Sequence, residues 1–471
     1  MKYNAVTQEI ANELRLIAGE RNVIYEDKEA LETYSHDEVS EKEYAHMPDA
    51  VVKPSSAEQI SQIMKLANKY MIPVTPRGAG SGLSGGAVPA RGGIVLSVEK
   101  MNKILEIDTK NLMAVVEPGV VTNEINNAVK DYGLYYAGYP MSVETCYIGG
   151  NVAENAGGGK AVKYGVTSRY IMGLEMVTPE GDIIELGGKR MKDVTGYDLL
   201  HLMVGSEGTL GIFTKITVKL QPMPVAKADL LVLFKDVKQA IDIVPVIMTN
   251  GKIIPTSIEF MDELSFAASC EYLNEHLPYQ DAKAMLLIEL DGDNMDIIES
   301  QYETIGELCM KNGAIEVYVA DNATTIERVW RIRRNIAEAW KLVSPHQSLE
   351  DIVVPISKIP EFMERLQQLQ AKYGVSIPCY GHAGDGNLHA TPVKDPVWSL
   401  EKWYDTLHKL LPEMYEAAGQ LGGTISGEHG IGQKRKDYVG LVLGQKEIEL
   451  MKRIKKAFDP NMILNPGKLF D

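Results

Sequence analysis

Apolar residues recur at helical spacing from about residue 8 to 19, and Ser55-Ser56-Ala57-Glu58 carries the capping-box pattern that opens a second amphipathic helix through Tyr70. A short apolar run predicts a strand over 71–75. Strands and helices then alternate through Ile94–Ser97, residues 114–117 and a polar helix over about 122–130. Residues 172–187 read as a hairpin that turns at Pro179-Glu180-Gly181-Asp182. Pro222 and Pro224 end a strand and stiffen the chain, which sets a domain end at 222. Beyond it come a strand over 228–234, a helix over 237–250, a strand over 284–290 and a basic tail helix, Gln445–Phe458, closed by Asp459-Pro460. The pattern predicts an α+β fold with layered domains, the second beginning as an α/β-type layer. Three segments result: 1–222, 223–435 and 436–471.

Composition narrows the function classes. A chain of 471 residues with 45% hydrophobic content can bury more than one core. The 64 Asp and Glu against 48 Lys and Arg give a net charge of −16, which argues against a nucleic-acid partner. The first residues lack the apolar stretch of a secretory signal, and no apolar run is long enough to span a bilayer, so a cytoplasmic location is expected. Cys146, Cys270, Cys309 and Cys379 are too widely spaced for a ferredoxin-type cluster. Electrons entering such a protein would leave through a partner.

Glycine loops carry the first candidate chemistry. Pro76-Arg77-Gly78-Ala79-Gly80-Ser81-Gly82-Leu83-Ser84-Gly85-Gly86 follows a predicted strand, and its N–H groups can converge on a pyrophosphate, with Arg77 adding charge. A second loop spans Gly149 to Gly159 and a third Gly205 to Gly211. Neither has the spacing of a Rossmann nicotinamide site, so a large flat cofactor held by several loops is the better reading. With Val194-Thr195-Gly196-Tyr197-Asp198-Leu199 between the last two, these loops resemble the FAD-binding domain of the vanillyl-alcohol oxidase superfamily over about residues 45–222. The resemblance implies that Pro76, Arg77, Gly78, Ala79, Gly80, Ser81, Gly82, Leu83 and Ser84 hold the FAD pyrophosphate. It places Pro140, Ser142, Thr145, Cys146, Gly149, Gly150, Asn155 and Gly157 along the diphosphate and flavin, and Glu207, Gly208 and Ile212 near the adenosine. No histidine lies between His46 and His201, so non-covalent FAD is implied.

Histidines carry the second. In Tyr380-Gly381-His382-Ala383-Gly384-Asp385-Gly386-Asn387-Leu388-His389-Ala390, a two-residue turn at Asp385-Gly386 would set His382 directly opposite His389, close enough for both rings to reach one ion. Glu428-His429 adds a carboxylate and a further imidazole in a glycine-lined bend, and a His₂-carboxylate set with open positions suits a catalytic metal. Both segments resemble the C-terminal domain of flavin-linked D-2-hydroxyacid dehydrogenases, the D-lactate dehydrogenase and glycolate oxidase catalytic-subunit type. That resemblance implies His382, His389 and Glu428 as ligands of a divalent metal (Fe, Zn or Mn), His429 as base and Arg333 as the substrate-carboxylate arginine. The expected fold is a two-subdomain FAD-binding domain, a substrate (cap) domain and a C-terminal helical segment returning to the FAD domain.

Ala337 and Leu349 stand where hydroxyglutarate-oxidising members carry polar or cationic residues, which favours a small monocarboxylate, D-lactate before glycolate. The expected electron acceptor is a protein, an electron-transferring flavoprotein first. Two rivals are a flavin-binding scaffold subunit of a larger complex, which has no need of the metal set, and an oxygen-using FAD oxidase.

Overall fold

Two hydroxyls start the helices that cover the first sheet. In the computed structural model, which describes residues 2–39, 44–275 and 281–470, Thr7 Oγ1 accepts the Ile10 N–H at the head of helix Gln8–Ala18. Ser56 Oγ accepts the Gln59 N–H at the head of helix Ala57–Tyr70. The cap is one residue later than the Ser55-to-Glu58 pattern predicts, and Gln59 Oε1 in turn accepts the Ser55 N–H at 2.8 Å. Met71 closes the helix in the left-handed region at φ 53°, so the strand expected over 71–75 starts at Val74 instead.

The chain forms two units, residues 1–157 with 166–223 and 428–471, and residues 158–165 with 224–427. The return to the first unit thus begins at Glu428, earlier than the predicted 436. Its cause is local: Ser84 O accepts N–H groups from Gln433 and Lys434, and the Glu207 carboxylate accepts those of Ile431 and Gly432.

In the first unit, β1 (Val23–Tyr25), β2 (Ala50–Val52), β3 (Val74–Arg77) and β4 (Ile94–Ser97) form a sheet in the order β1-β2-β4-β3, with β4 parallel to both neighbours. Ile10, Leu14, Ile60, Ile63 and Met64 of the two helices cover Val52, Val74, Ile94 and Leu96, and Ile463 and Leu464 of the tail join the same core. Strands β5 (Ile104–Asp108), β6 (Met113–Val116), β8 (Ile171–Val177), β9 (Ile183–Gly187) and β10 (Ile212–Lys219) make an antiparallel sheet, β5-β6-β10-β8-β9. Between them in sequence, β7 (Leu134–Tyr135) pairs with β11 (Gln221–Pro222).

The second unit carries one seven-stranded sheet, antiparallel at every pairing. Its strands are β12 (Ala226–Phe234), β13 (Ser257–Asp262), β14 (Ala284–Gly292), β15 (Ala314–Ala320), β16 (Glu350–Val353), β17 (Cys379–His382) and β18 (Asn387–Ala390), ordered β15-β12-β14-β13-β17-β18-β16. On one face Leu231, Leu233, Met261, Met285 and Leu287 pack under helices Glu263–Leu273, Ala323–Arg334 and Ile336–Val343. Strand alternation carries the same face on through Asp229, Glu289, Glu259 and His382, so the apolar core gives way to buried polar groups. Among the described residues no helix is long and apolar enough to cross a membrane.

Candidate functional site

The glycine loops of the first unit converge on two adjoining cavities. The larger, about 250 Å³, is lined by Gly78, Ala79, Gly80, Ser81, Gly82, Leu83, Pro140, Ser142, Cys146, Gly150 and Gly157, all expected from the sequence, and by Glu428 and His429. The smaller, about 80 Å³, is lined by Pro76, Arg77, Gly149, Glu207, Gly208 and Ile212. Gly78, Gly150 and Glu154 belong to both walls. At Gly150 nothing lies within 4 Å of where a Cβ would stand, which leaves room for a dinucleotide against backbone, while other glycines let the loops pack closely on the chain itself. Gly149 approaches Pro118 so closely that a Cβ would lie 2.7 Å from the proline Cβ, and Gly80, at φ +75°, would place one 2.2 Å from Arg77 Nη2.

Several expected residues serve the loops instead. Arg77 directs its Nη1 to the carbonyls of His36 (2.7 Å) and Ala87 (3.4 Å), so its guanidinium braces the first loop. Ser84 turns its hydroxyl toward Glu154. Asn155, at φ 52°, caps helix Ile148–Glu154 and accepts the Ser168 N–H at 2.9 Å. Thr145 is exposed, with its hydroxyl on Ser142 O. None of Ser84, Asn155 and Thr145 lines either cavity. Glu207 has a role that the sequence did not reveal: Oε1 accepts the Ile431 N–H at 2.8 Å and Oε2 the Gly432 N–H at 2.6 Å. Arg435, fully buried, adds bonds to the carbonyls of Leu83 and Gly430. The bend bearing His429 is therefore pinned to the first and third glycine loops, which is why that imidazole enters the cavity wall.

The second unit assembles the other candidates around one carboxylate. Glu259, with no solvent exposure, holds His382 Nδ1 at 2.6 Å through Oε1 and accepts from Arg333 Nε at 2.8 Å through Oε2. Burial pushes this carboxyl up, yet the His382 ring and the Arg333 guanidinium outweigh burial and hold it below the usual carboxylate range. Arg333 is buried and its guanidinium lies over the Tyr380 ring at 4.7 Å, which distinguishes it from the exposed Arg334 beside it. Gly159 passes so close that a Cβ there would lie 2.3 Å from Glu259 Oε1.

The two-residue turn expected at Asp385-Gly386 is corrected. His382 pairs with Asn387, and His389 stands opposite Tyr380. Residues 383–386 form the loop, and His382 O accepts N–H groups from both Asp385 and Gly386. Because Tyr380 and His382 are two residues apart on one strand, His389 still shares their face, and the imidazole centroids are 5.5 Å apart. Beside them, His389 Nδ1 is 4.0 Å from Asp351 Oδ1. Asp351 accepts from Asn387 Nδ2 at 2.7 Å and, through Oδ2, from Ser426 Oγ and the Gly427 N–H, each at 2.8 Å. The imidazole pair and the carboxylate that orients His382 suit a divalent cation. Glu259, Asp351 and Asn387 escaped the sequence reading because each finds its partner on a strand distant in sequence, which leaves no spacing signal.

Comparison with known proteins gives matches to two family models: an FAD binding domain over residues 48–187 and the C-terminal domain of FAD linked oxidases over 223–469. The chain is 41% identical over 466 residues to a glycolate oxidase subunit GlcD of Bacillus subtilis, covering 99% of this chain and 97% of the relative. It is 36% identical to a D-lactate dehydrogenase of Anaerostipes hadrus, with 99% and 98% covered, and 32% identical to a D-2-hydroxyglutarate dehydrogenase of Stutzerimonas stutzeri, with 98% of each covered. Among solved structures, p-cresol methylhydroxylase with substrate bound superposes with a TM-score of 0.80 at 21% identity, over 99% of this chain and 98% of that one, a likeness of fold.

Proposed function

This chain belongs to the FAD-linked oxidase family, and from that premise we propose that it oxidises a small D-2-hydroxy acid, D-lactate before glycolate, to the 2-oxo acid. It is an FAD-dependent 2-hydroxyacid dehydrogenase by kinship. The observation that carries the reading is the wall of the 250 Å³ cavity, where His429 and Glu428 stand among the glycine loops of the FAD-binding unit.

Bound FAD would supply the hydride acceptor, and a divalent metal would supply positive charge near the substrate hydroxyl. The chain's own residues do the rest. His429 takes the substrate hydroxyl proton as general base. Arg333 receives the substrate carboxylate on its terminal nitrogens, because its Nε is already given to Glu259. His382, its Nδ1 engaged by Glu259, presents Nε2 to the metal. His389 and Glu428 keep the ligand roles that the resemblance gives them. The absence of a cation at Ala337 and Leu349 favours a monocarboxylate. An electron-transferring flavoprotein is the proposed acceptor.

Anaerobic mixing of the holoenzyme with D-lactate, L-lactate, glycolate and D-2-hydroxyglutarate tests the substrate. Bleaching of the flavin is expected fastest with D-lactate; none with any of the four sinks the reading. His429→Asn should keep FAD and metal while slowing bleaching about 10²–10⁴-fold. Reduced enzyme should then pass electrons to an electron-transferring flavoprotein faster than to oxygen.

A further inference from the structure

Three carboxyl groups line the cavities proposed to take an anionic cofactor, and two of them stand together in the smaller one. Glu154 and Glu207 both line the smaller cavity, and Glu154 lines the larger as well. A diphosphate beside two carboxylates would be repelled by several kcal/mol in a dry site, which favours the uncharged form of one of them when FAD is present.

Their surroundings decide which. Glu207 receives two backbone N–H groups, from Ile431 and Gly432, and these oppose the upward push of burial on its carboxyl without cancelling it. Among the described residues Glu154 has only the Ser84 hydroxyl, 3.4 Å from Oε1, while Oε2 is shielded from solvent and meets no hydrogen-bond partner. Its carboxyl is held in place by two glycines: a Cβ at Gly86 would lie 2.7 Å from Oε1, and one at Gly430 would lie 2.0 Å from Oε2. The charged groups around it are Glu207, Asp37 and Arg435, with Lys468 acting on both Glu207 and Asp37. Glu428 and His429 share the larger cavity wall. Burial first, then repulsion by Glu207 and Asp37, drives the Glu154 carboxyl well above its usual range, against weaker opposition from Ser84 and Arg435.

We propose that Glu154 binds FAD as a neutral hydrogen-bond donor, its protonated carboxyl offering O–H to an oxygen of the cofactor, so that FAD binding is linked to one proton held at this side chain. A deprotonated Glu154 would both lose the donor and confront the diphosphate with a second carboxylate beside Glu207. The inference rests on FAD binding and is independent of the hydroxy acid and of the metal.

The test uses the full chain stripped of FAD, with the dissociation constant read from flavin fluorescence at pH 6–9 and proton uptake read calorimetrically in buffers of different ionisation enthalpy. Wild type should weaken as pH rises, by up to about 10-fold per unit where Glu154 loses its proton, with uptake of a fraction of a proton approaching one at the alkaline end. Glu154→Gln, a donor at every pH, should bind at least as tightly as wild type at pH 9 with that component of the slope removed. Lys468, which burial pushes down to about 7, is present in both proteins, so the difference between the two profiles isolates Glu154. Glu154→Ala should bind about 10-fold or more weakly at pH 6. A Gln variant that binds as poorly as the Ala variant, identical slopes in wild type and Gln, or zero proton uptake by wild type would overturn the proposal. The uptake measurement stands even if a variant does not fold.

Discussion

His382 Nδ1 and Glu259 Oε1 are 2.6 Å apart across adjacent strands of one sheet, the two residues being direct partners in the β13–β17 register. The remaining oxygen of Glu259 holds Arg333. One buried carboxylate thus fixes both an imidazole proposed to bind metal and a guanidinium proposed to bind substrate. Glu259→Gln keeps the shape and removes the charge. The expected outcome is a metal affinity lower by about 10–100-fold and a raised KM, with FAD content unchanged. Metal analysis after dialysis against a chelator, together with steady-state kinetics, checks it; unchanged metal content would remove Glu259 from this role.

Gly159 tests the same geometry by crowding rather than by charge. An added methyl would lie 2.3 Å from Glu259 Oε1 and 3.3 Å from His382 Nδ1. Gly159→Ala should displace both groups and lower turnover on the order of 10²-fold. Circular dichroism and flavin content should match wild type, and full turnover would contradict the crowding argument.

Asp229 makes stability depend on pH. It is buried beside Glu289, accepts the Trp330 indole N–H at 2.9 Å, and burial raises its pKa to about 7 despite the opposing Lys227. The folded chain therefore binds this proton more tightly than the unfolded chain does. Stability from this group is complete below about pH 4 and is lost as pH rises toward 7. Asp229→Asn keeps an acceptor for Trp330 and removes the titration. Relative to wild type it should gain about 2–4 kcal/mol between pH 4 and pH 8, measured as the shift in urea unfolding midpoints. A constant difference across that range would refute the assignment.

Lys455 ties down the tail. Its buried ammonium donates to Thr209 O (2.8 Å), Leu464 O (2.8 Å) and Asp459 Oδ2 (2.6 Å). Lys455→Met leaves Asp459 as an uncompensated buried charge, for a loss of about 3–5 kcal/mol seen as a lower thermal midpoint. Lys456, exposed on the same helix, should tolerate the same change.

The legible parts of this protein were those written in local pattern. Thr7 and Ser56 caps, the amphipathic helices behind them and the glycine loops all follow from neighbouring residues, and ten of the eleven cavity residues expected at the larger site lie in two glycine-bearing stretches plus Pro140 and Ser142. The histidine hairpin was legible in kind but shifted in register, because the preference of Asp-Gly for a short turn yielded to two N–H groups closing on His382 O. Glu259, Asp351 and Glu154 were not legible. Glu259 and Glu154 sit between apolar or small neighbours and Asp351 beside Glu350, and their partners lie 36 to 123 residues away in sequence.

Val74 donates its N–H to Ile463 O, and Asn465 donates to Val74 O, so the tail extends the edge of the four-stranded sheet at β3. Ile463 and Leu464 then fill a core otherwise built from the first hundred residues or so and a few later ones. During synthesis, the chain must therefore reach residues 463–465 before that sheet is sealed. Removal of residues 463–465 would strip the edge of β3 and part of its core while leaving every glycine loop in the chain.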